Sequence, residues 1–281
     1  MRLAAMLLCA TSIFLSCGAS HATEYQIKWY SVNSGGGMVT GGGYKLNSSV
    51  GQSAAGFVNN TSYLHWIGFW AGDLPEPEVP PSIGAAKMLP DKTYVSIAGR
   101  IATSSATDFT GFFYVEEEDR FSGIRVAVPG GPVAGLLRGH VVNVIGTLGT
   151  TDAGERQLTG PIVIIVGTHD PLAPVGMPNR TVGGGDMGSP PLGQYGVTNG
   201  VGLNSVGLLI QTWGRVMETG SGYVVIDDGS GTPVRVDTTT LASPPDPNEY
   251  VSVIGISSLY KPEAHRLRLI LPRDDLDVNS Y

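Results

Sequence analysis

The sequence predicts an all-β protein in which one five-strand plan is used twice, and three observations carry that reading. Forty glycines and nineteen prolines punctuate 281 residues, and helix-length amphipathic runs are almost absent. Between Leu208 and Leu271 stand five strand-like runs whose order and spacing suit a small closed β-barrel. From Val95 to Val166 the chain repeats that order with different residues. The expected architecture is two five-stranded Greek-key barrels in tandem, preceded by a small β module, and 42% hydrophobic content is enough to give each barrel a core.

Residues 1–22 read as a secretory signal. Arg2 supplies a positive start, Leu3 to Leu15 is an apolar run too short to span a bilayer, and Ser20-His21-Ala22 offers a cleavage point before Thr23. Both cysteines, Cys9 and Cys17, fall inside this segment, so the mature chain is expected to hold no disulfide and no thiolate metal site. Leu15-Ser16-Cys17 partly fits a lipoprotein box as a rival reading, with Phe14 where Leu is usual. The expected location is secreted, periplasmic or at the cell surface, without a transmembrane anchor after cleavage.

Residues 23–73 alternate apolar pieces with Gly35-Gly36-Gly37 and Gly41-Gly42-Gly43, and end on Gly68-Phe69-Trp70. Two glycine triplets, Tyr44, Val50-Gly51-Gln52 and a terminal Gly-Phe-Trp resemble a short β module of secreted proteins of environmental bacteria, which implies an extracellular setting. Trp29, Tyr30, Tyr44, Tyr63, Trp66, Phe69 and Trp70 are read as the core of this module, with sugar stacking as the alternative. Residues 74–82 hold Pro75, Pro77, Pro80 and Pro81 and predict a stiff extended linker. The first barrel is expected over 83–167 and the second over 206–281. Between them, 168–205 is a Gly/Pro connector long enough to pack across both.

The two barrels align run by run. Val95 to Ile101 matches Ile210 to Val216, with Gly99-Arg100-Ile101 and Gly214-Arg215-Val216 in register. Phe112 to Glu117 matches Tyr223 to Asp228, and Ile124-Arg125-Val126 matches Val234-Arg235-Val236. After a polar break, Val141 to Gly146 matches Tyr250 to Gly255, and Gln157 to Val166 matches Arg266 to Leu271. Gly-Arg-Val, Tyr-Val-Val-Ile-Asp-Asp-Gly-Ser-Gly and Val-Arg-Val resemble the start of OB-fold domains of the anticodon-binding and single-strand-binding kind, which bind nucleic acid across strands two and three. Phe113 to Glu117 with Gly123 to Val126 is also similar to an OB module repeated in secreted bacterial proteins without an assigned activity. Fold-level likeness does not transfer a ligand.

Side-chain parity names the groups such a face presents. If Ile210, Val216, Val224, Ile226, Val234 and Val236 point inward, then Trp213, Arg215, Tyr223, Val225 and Arg235 point outward. The matching outward set of the first barrel is Arg100, Phe112, Tyr114 and Arg125. Rings beside guanidinium groups suit a flat ligand such as a base or a sugar. The alternative is that these aromatics are covered by the other barrel or the connector, with the arginines paired to nearby carboxylates.

Charge and motifs narrow the function classes. The net charge is −7, residues 93–166 hold five basic against seven acidic residues, and residues 206–281 hold six against ten. Single-strand binders rely on a positive groove, so nucleic acid is the disfavoured alternative. Gly183 to Gly188 spells GxGxxG, but Pro190-Pro191 stands where a helix would start. His65, His140, His169 and His265 stand singly. Glu116 to Asp119 and Asp227-Asp228 are read as solvated hairpin turns rather than calcium loops, since the spacing of oxygen ligands is missing. The expected function is non-enzymatic: binding a polymer such as a glycan, or a protein, through outward barrel faces, with no metal, cofactor or catalytic residue assigned. An extracellular hydrolase using carboxylates such as Glu116, Glu117, Asp227 and Asp228 is the further alternative.

Overall fold

The computed structural model describes residues 35–41, 44–51, 56–59, 64–67 and 76–281. The signal segment, Cys9, Cys17 and Gly68-Phe69-Trp70 lie outside the described residues. Strands β1 (Gly35–Gly41) and β2 (Tyr44–Val50) form an antiparallel hairpin, as do β3 (Gly56–Asn59) and β4 (Leu64–Ile67). The β1–β2 hairpin belongs to one compact unit, and residues 76–281 belong to another.

Residues 76–281 are nearly all β. Strands β5 (Tyr94–Ala102), β6 (Phe112–Glu116), β7 (Gly123–Ala127), β8 (His140–Thr150) and β9 (Arg156–Thr168) close a barrel in the order β5-β6-β7-β9-β8. Alternation places Val95, Ile97, Phe113, Val115, Ile124, Val126, Val142, Val144 and Leu158 inside. The one short α-helix among the described residues, α1 (Ile83–Lys87), begins at Ser82, whose hydroxyl caps the Ala85 amide at 2.9 Å, and it lays Ile83 and Ala86 against the barrel core. The proline-rich stretch before α1 is docked rather than free, because Glu78 bridges in parallel to Val95.

Within β5 the even alternation fails. One extra residue lies between Ile97 and Arg100, at Gly99, whose φ of 69° is a left-handed conformation. The bulge flips the parity of the remaining strand residues, so Ala102 joins the core and Arg100 turns to the rim next to α1. The expectation that Arg100 faces outward is therefore corrected. It donates to the Pro81 carbonyl at 3.1 Å and stands 3.7 Å from Glu117, which accepts the Ile83 amide at 2.9 Å.

The connector carries β10 (Val175–Gly176), β11 (Met187–Ser189) and β12 (Leu192–Gln194). Beyond it come β13 (Leu209–Gly220), β14 (Tyr223–Asp227), β15 (Val234–Asp237), β16 (Tyr250–Tyr260), β17 (Leu267–Leu271) and β18 (Val278–Ser280). With β10 these six make a seven-stranded sheet ordered β10-β13-β14-β15-β17-β16-β18, in which β13 also pairs with β16. Ile210, Val216, Val224, Ile226, Val234 and Val236 form its buried core with Val251, Val253 and Ile270. The connector touches both halves: the buried Gln194 accepts the Arg156 amide at 2.9 Å, while Val182 packs into the sheet core and Val197 packs against Leu259.

Barrel and sheet share a buried contact, beside which a cleft of about 300 Å³ stays open between Phe109 and Phe112 on one side and Asp237, Thr239 and Pro272 on the other. Phe109, Tyr114, Leu209, Ile256 and Leu271 form one buried cluster between barrel and sheet. Gly123 and Gly207 lie so close that a Cβ on Gly123 would fall inside the carbonyl group of Gly207. Gly123→Ala is therefore expected to destabilise the protein by about 3 kcal/mol through forced separation of the two backbones, read from urea denaturation midpoints.

Candidate functional site

The eight residues singled out in the sequence fall into three places. Arg100 is at the rim of the barrel, beside α1. Phe112, Tyr114 and Arg125 lie on the outer side of the barrel wall, facing the C-terminal sheet, which covers Tyr114 fully and the other two in part. Trp213, Arg215, Tyr223 and Arg235 lie on the outer side of that sheet.

The covered set is a buried polar junction. Tyr114 is fully buried, so the expectation that it offers an accessible ring is corrected: Leu209, Ile256 and Leu271 occupy the space a ligand would need. Its hydroxyl donates to Glu155 Oε1 at 2.9 Å, and the Ser258 hydroxyl donates to Glu155 Oε2 at 2.9 Å, so one carboxylate ties barrel to sheet. The Arg125 guanidinium lies 3.6 Å over the Phe112 ring and 4.0 Å from Glu155, and Phe112 stacks on Phe109 at 5.1 Å. Lys87 Nζ donates to the Val206 carbonyl at 2.8 Å, and Glu116 accepts the Leu209 amide through one oxygen and Arg120 Nε at 3.0 Å through the other. Glu116 and Glu117 are buried, so the solvated-turn expectation fails for both.

Burial governs the ionisation of this junction. It raises the Tyr114 hydroxyl well above its ordinary value, with the Glu155 charge adding to it, and it raises Glu155 against the opposing Arg125 charge. Burial also lowers Lys87 to about 8 and pushes Glu116 up to about 7, the latter against hydrogen bonds from the Leu209 amide and Arg120.

The exposed set is different in kind. Trp213, Met217 and Tyr250 are 55%, 61% and 56% exposed, and with Arg215, Asp227, Asp228 and Gly229 they line a groove of about 320 Å³. Register explains the grouping: Arg215 pairs with Tyr250 on one side and with Asp227 on the other, and Trp213 precedes Arg215 by two on the same face. The backbone of Asp227 crosses so close to Gly214 that a Cβ there would stand 2.8 Å from it. The Gly-Arg pair thus has unlike causes in the two halves, a bulge at Gly99 and a close crossing at Gly214. Arg215 donates to Asn248 Oδ1 at 2.6 Å. Asp227 Oδ1 accepts the Gly229 amide at 2.6 Å, and Asp228 accepts the Asn179 amide at 3.0 Å. Partial burial favours the neutral acid at Asp228, but hydrogen bonds from Ser230 and Asn179 outweigh it and hold the carboxyl below its usual value.

A second, half-buried pair lies farther along the same sheet. The Arg235 guanidinium is 3.7 Å over the Tyr223 ring and 4.9 Å from the Tyr260 ring, and the Tyr223 hydroxyl donates to Glu218 Oε1 at 2.8 Å. That hydrogen bond and the Glu218 charge raise the Tyr223 hydroxyl above its ordinary value. Sequence reasoning assigned no role to Met217, Asn248, Tyr250 or Tyr260. The signal for Tyr250 was present, since it opens a strand in which Val251 and Val253 alternate inward. Tyr260 was hidden by the loss of alternation over Ile256 to Leu259. Among the described residues no three His, Cys, Asp or Glu side chains gather as a metal site, and no helix is long and apolar enough to cross a membrane.

No family model matches the chain, and no curated protein does either. Among solved structures, a murine DNA-binding protein bound to double-stranded DNA is similar at a TM-score of 0.34 and 10% identity, over 64% of this chain and 91% of that one. A likeness of that size bears on neither fold nor ligand.

The junction sets two expectations. Glu116 has a folded pKa of about 7 against an ordinary 4.5, so its contribution to stability is full below about 4.5 and is lost as pH rises to about 7. Glu116→Gln is expected to flatten that part of the stability profile, measured as urea midpoints from pH 4.5 to 7.5. Tyr114→Phe leaves Glu155 one donor short in a dry site and is expected to cost about 1–3 kcal/mol in the same assay.

Proposed function

We propose that this chain is a non-catalytic binding protein of the cell exterior, exported by its leader, that holds a carbohydrate polymer along the outer face of its C-terminal sheet. The observation that carries the reading is the groove of Trp213, Met217 and Tyr250, three large side chains left more than half exposed on one face, in contrast to the buried aromatic cluster of the first barrel. An isolated exposed side chain is ordinary, but two rings flanking an arginine on adjacent strands make a stacking platform. Arg215, Asn248, Asp227 and Asp228 border it with donors and acceptors of the kind that sugar hydroxyls use.

On this reading the two halves are one architecture used twice. The pairings β13–β14, β14–β15, β15–β17, β17–β16 and β16–β13 run in the same cyclic order as β5-β6-β7-β9-β8, including a parallel contact between third and fifth strands in each. This supports assigning both to the OB-like Greek-key class and treating the C-terminal sheet as the second barrel of a tandem. The first barrel then serves as the support and the second as the binding face.

Titration of the full chain with soluble xylan, β-glucan and galactan tests the proposal. At least one is expected to bind, with Trp213→Ala weakening it about tenfold or more and with little change when salt is raised. Binding that is confined to single-stranded DNA and steeply weakened by salt would overturn it.

A further inference from the structure

Position by position, the two halves differ at the surroundings of one arginine. In the barrel, Arg125 pairs with Gln157 of the fifth strand, and two residues before Gln157 stands Glu155, 4.0 Å from the Arg125 guanidinium. In the C-terminal sheet, Arg235 pairs with Leu269 in the same parallel register, and two residues before Leu269 stands Leu267. The third-strand arginine lies over the first aromatic of the second strand in both halves, Arg125 over Phe112 at 3.6 Å and Arg235 over Tyr223 at 3.7 Å. One copy of this arrangement has its carboxylate built in, and the other has an aliphatic side chain in its place. Among the described residues the Arg235 guanidinium makes no ion pair and no hydrogen bond, although Glu218 lies close enough to bond Tyr223.

We propose that Arg235, with Tyr223 and Tyr260, is a subsite for a single carboxylate carried on a saccharide ring, a uronate within a mostly neutral chain. This rests on the carbohydrate-binding proposal and names the class of sugar. The guanidinium carbon stands 3.7 Å and 4.9 Å from the Tyr223 and Tyr260 ring centroids, which holds the group in place, and a guanidinium takes a carboxylate through two parallel hydrogen bonds. The site continues the Trp213 groove. Arg215 pairs with Asp227, Val225 is two residues from Asp227, and Val225 pairs with Arg235, all on one outward face. On a flat sheet that path places the two arginines about 12 Å apart, a span an extended oligosaccharide bridges. Sparse charge is favoured over dense charge because Glu218, Asp227, Asp228 and Asp237 stand on the same strands and their turns, and would repel a phosphate at every unit of a nucleic acid.

The test is isothermal titration of the full chain with xylotetraose bearing one glucuronate branch, with the carboxyl methyl ester of that oligosaccharide, and with unbranched xylotetraose. The acid is expected to bind about tenfold more tightly than the ester, as for one charge-assisted fork. Arg235→Gln should erase that difference and Arg235→Lys should keep part of it. Leu267→Glu, which installs the carboxylate that the first barrel holds at Glu155, should erase it while leaving Arg235 in place. Equal affinity for acid and ester, or no binding of the acid, overturns the subsite. Retained Trp213-dependent binding to xylan, β-glucan or galactan would then show that the broader proposal stands without it. Binding of oligothymidylate that is lost in Arg235→Gln also overturns the subsite, in favour of a nucleic-acid ligand.

Discussion

The junction between the first barrel and the C-terminal sheet is the constraint on which the rest of residues 76–281 depends. Glu155, Glu116 and Lys87 are buried there and each finds a partner across the junction, while the buried Tyr114 bonds Glu155 within its own half. Glu155 accepts hydrogen bonds from the Tyr114 and Ser258 hydroxyls, Glu116 accepts one from the Leu209 amide, and Lys87 donates one to the Val206 carbonyl. Unpaired, any of these would cost more than the contact contributes, so the polar set demands one docking geometry. The apolar cluster of Tyr114, Leu209, Ile256 and Leu271 would tolerate several. The polar atoms supply specificity and the apolar ones supply most of the driving force.

The inner faces of the strands were legible because a sheet with one buried face imposes a period of two, and Ile210, Val216, Val224, Ile226, Val234 and Val236 are all buried together. What escaped the sequence is non-local or irregular. The bulge at Gly99 reverses the parity of Arg100, and alternation read across it cannot detect the extra residue. Parity also tells which side of a wall a residue takes, not what lies beyond that wall, so Tyr114 and Trp213 read alike although one is fully buried and the other 55% exposed. The long connector was legible as a packing element from its length, while its hairpin and its buried Gln194 were not.

The two halves share a strand-pairing order and differ at single positions. At the third-strand arginine the stacked geometry is kept while its surroundings change from Glu155 to Leu267. The first half buries Phe109 and Tyr114 against the second, and the second leaves Trp213 and Tyr250 more than half exposed.

The contact of Gly123 with Gly207 has a consequence beyond its own neighbourhood. Two backbones that touch with no side chain or solvent between them cannot part gradually, because the first increment of separation opens a gap too small for water and forfeits the contacts on both sides. The contact thereby couples the opening of one half to that of the other, although each has its own hydrophobic interior.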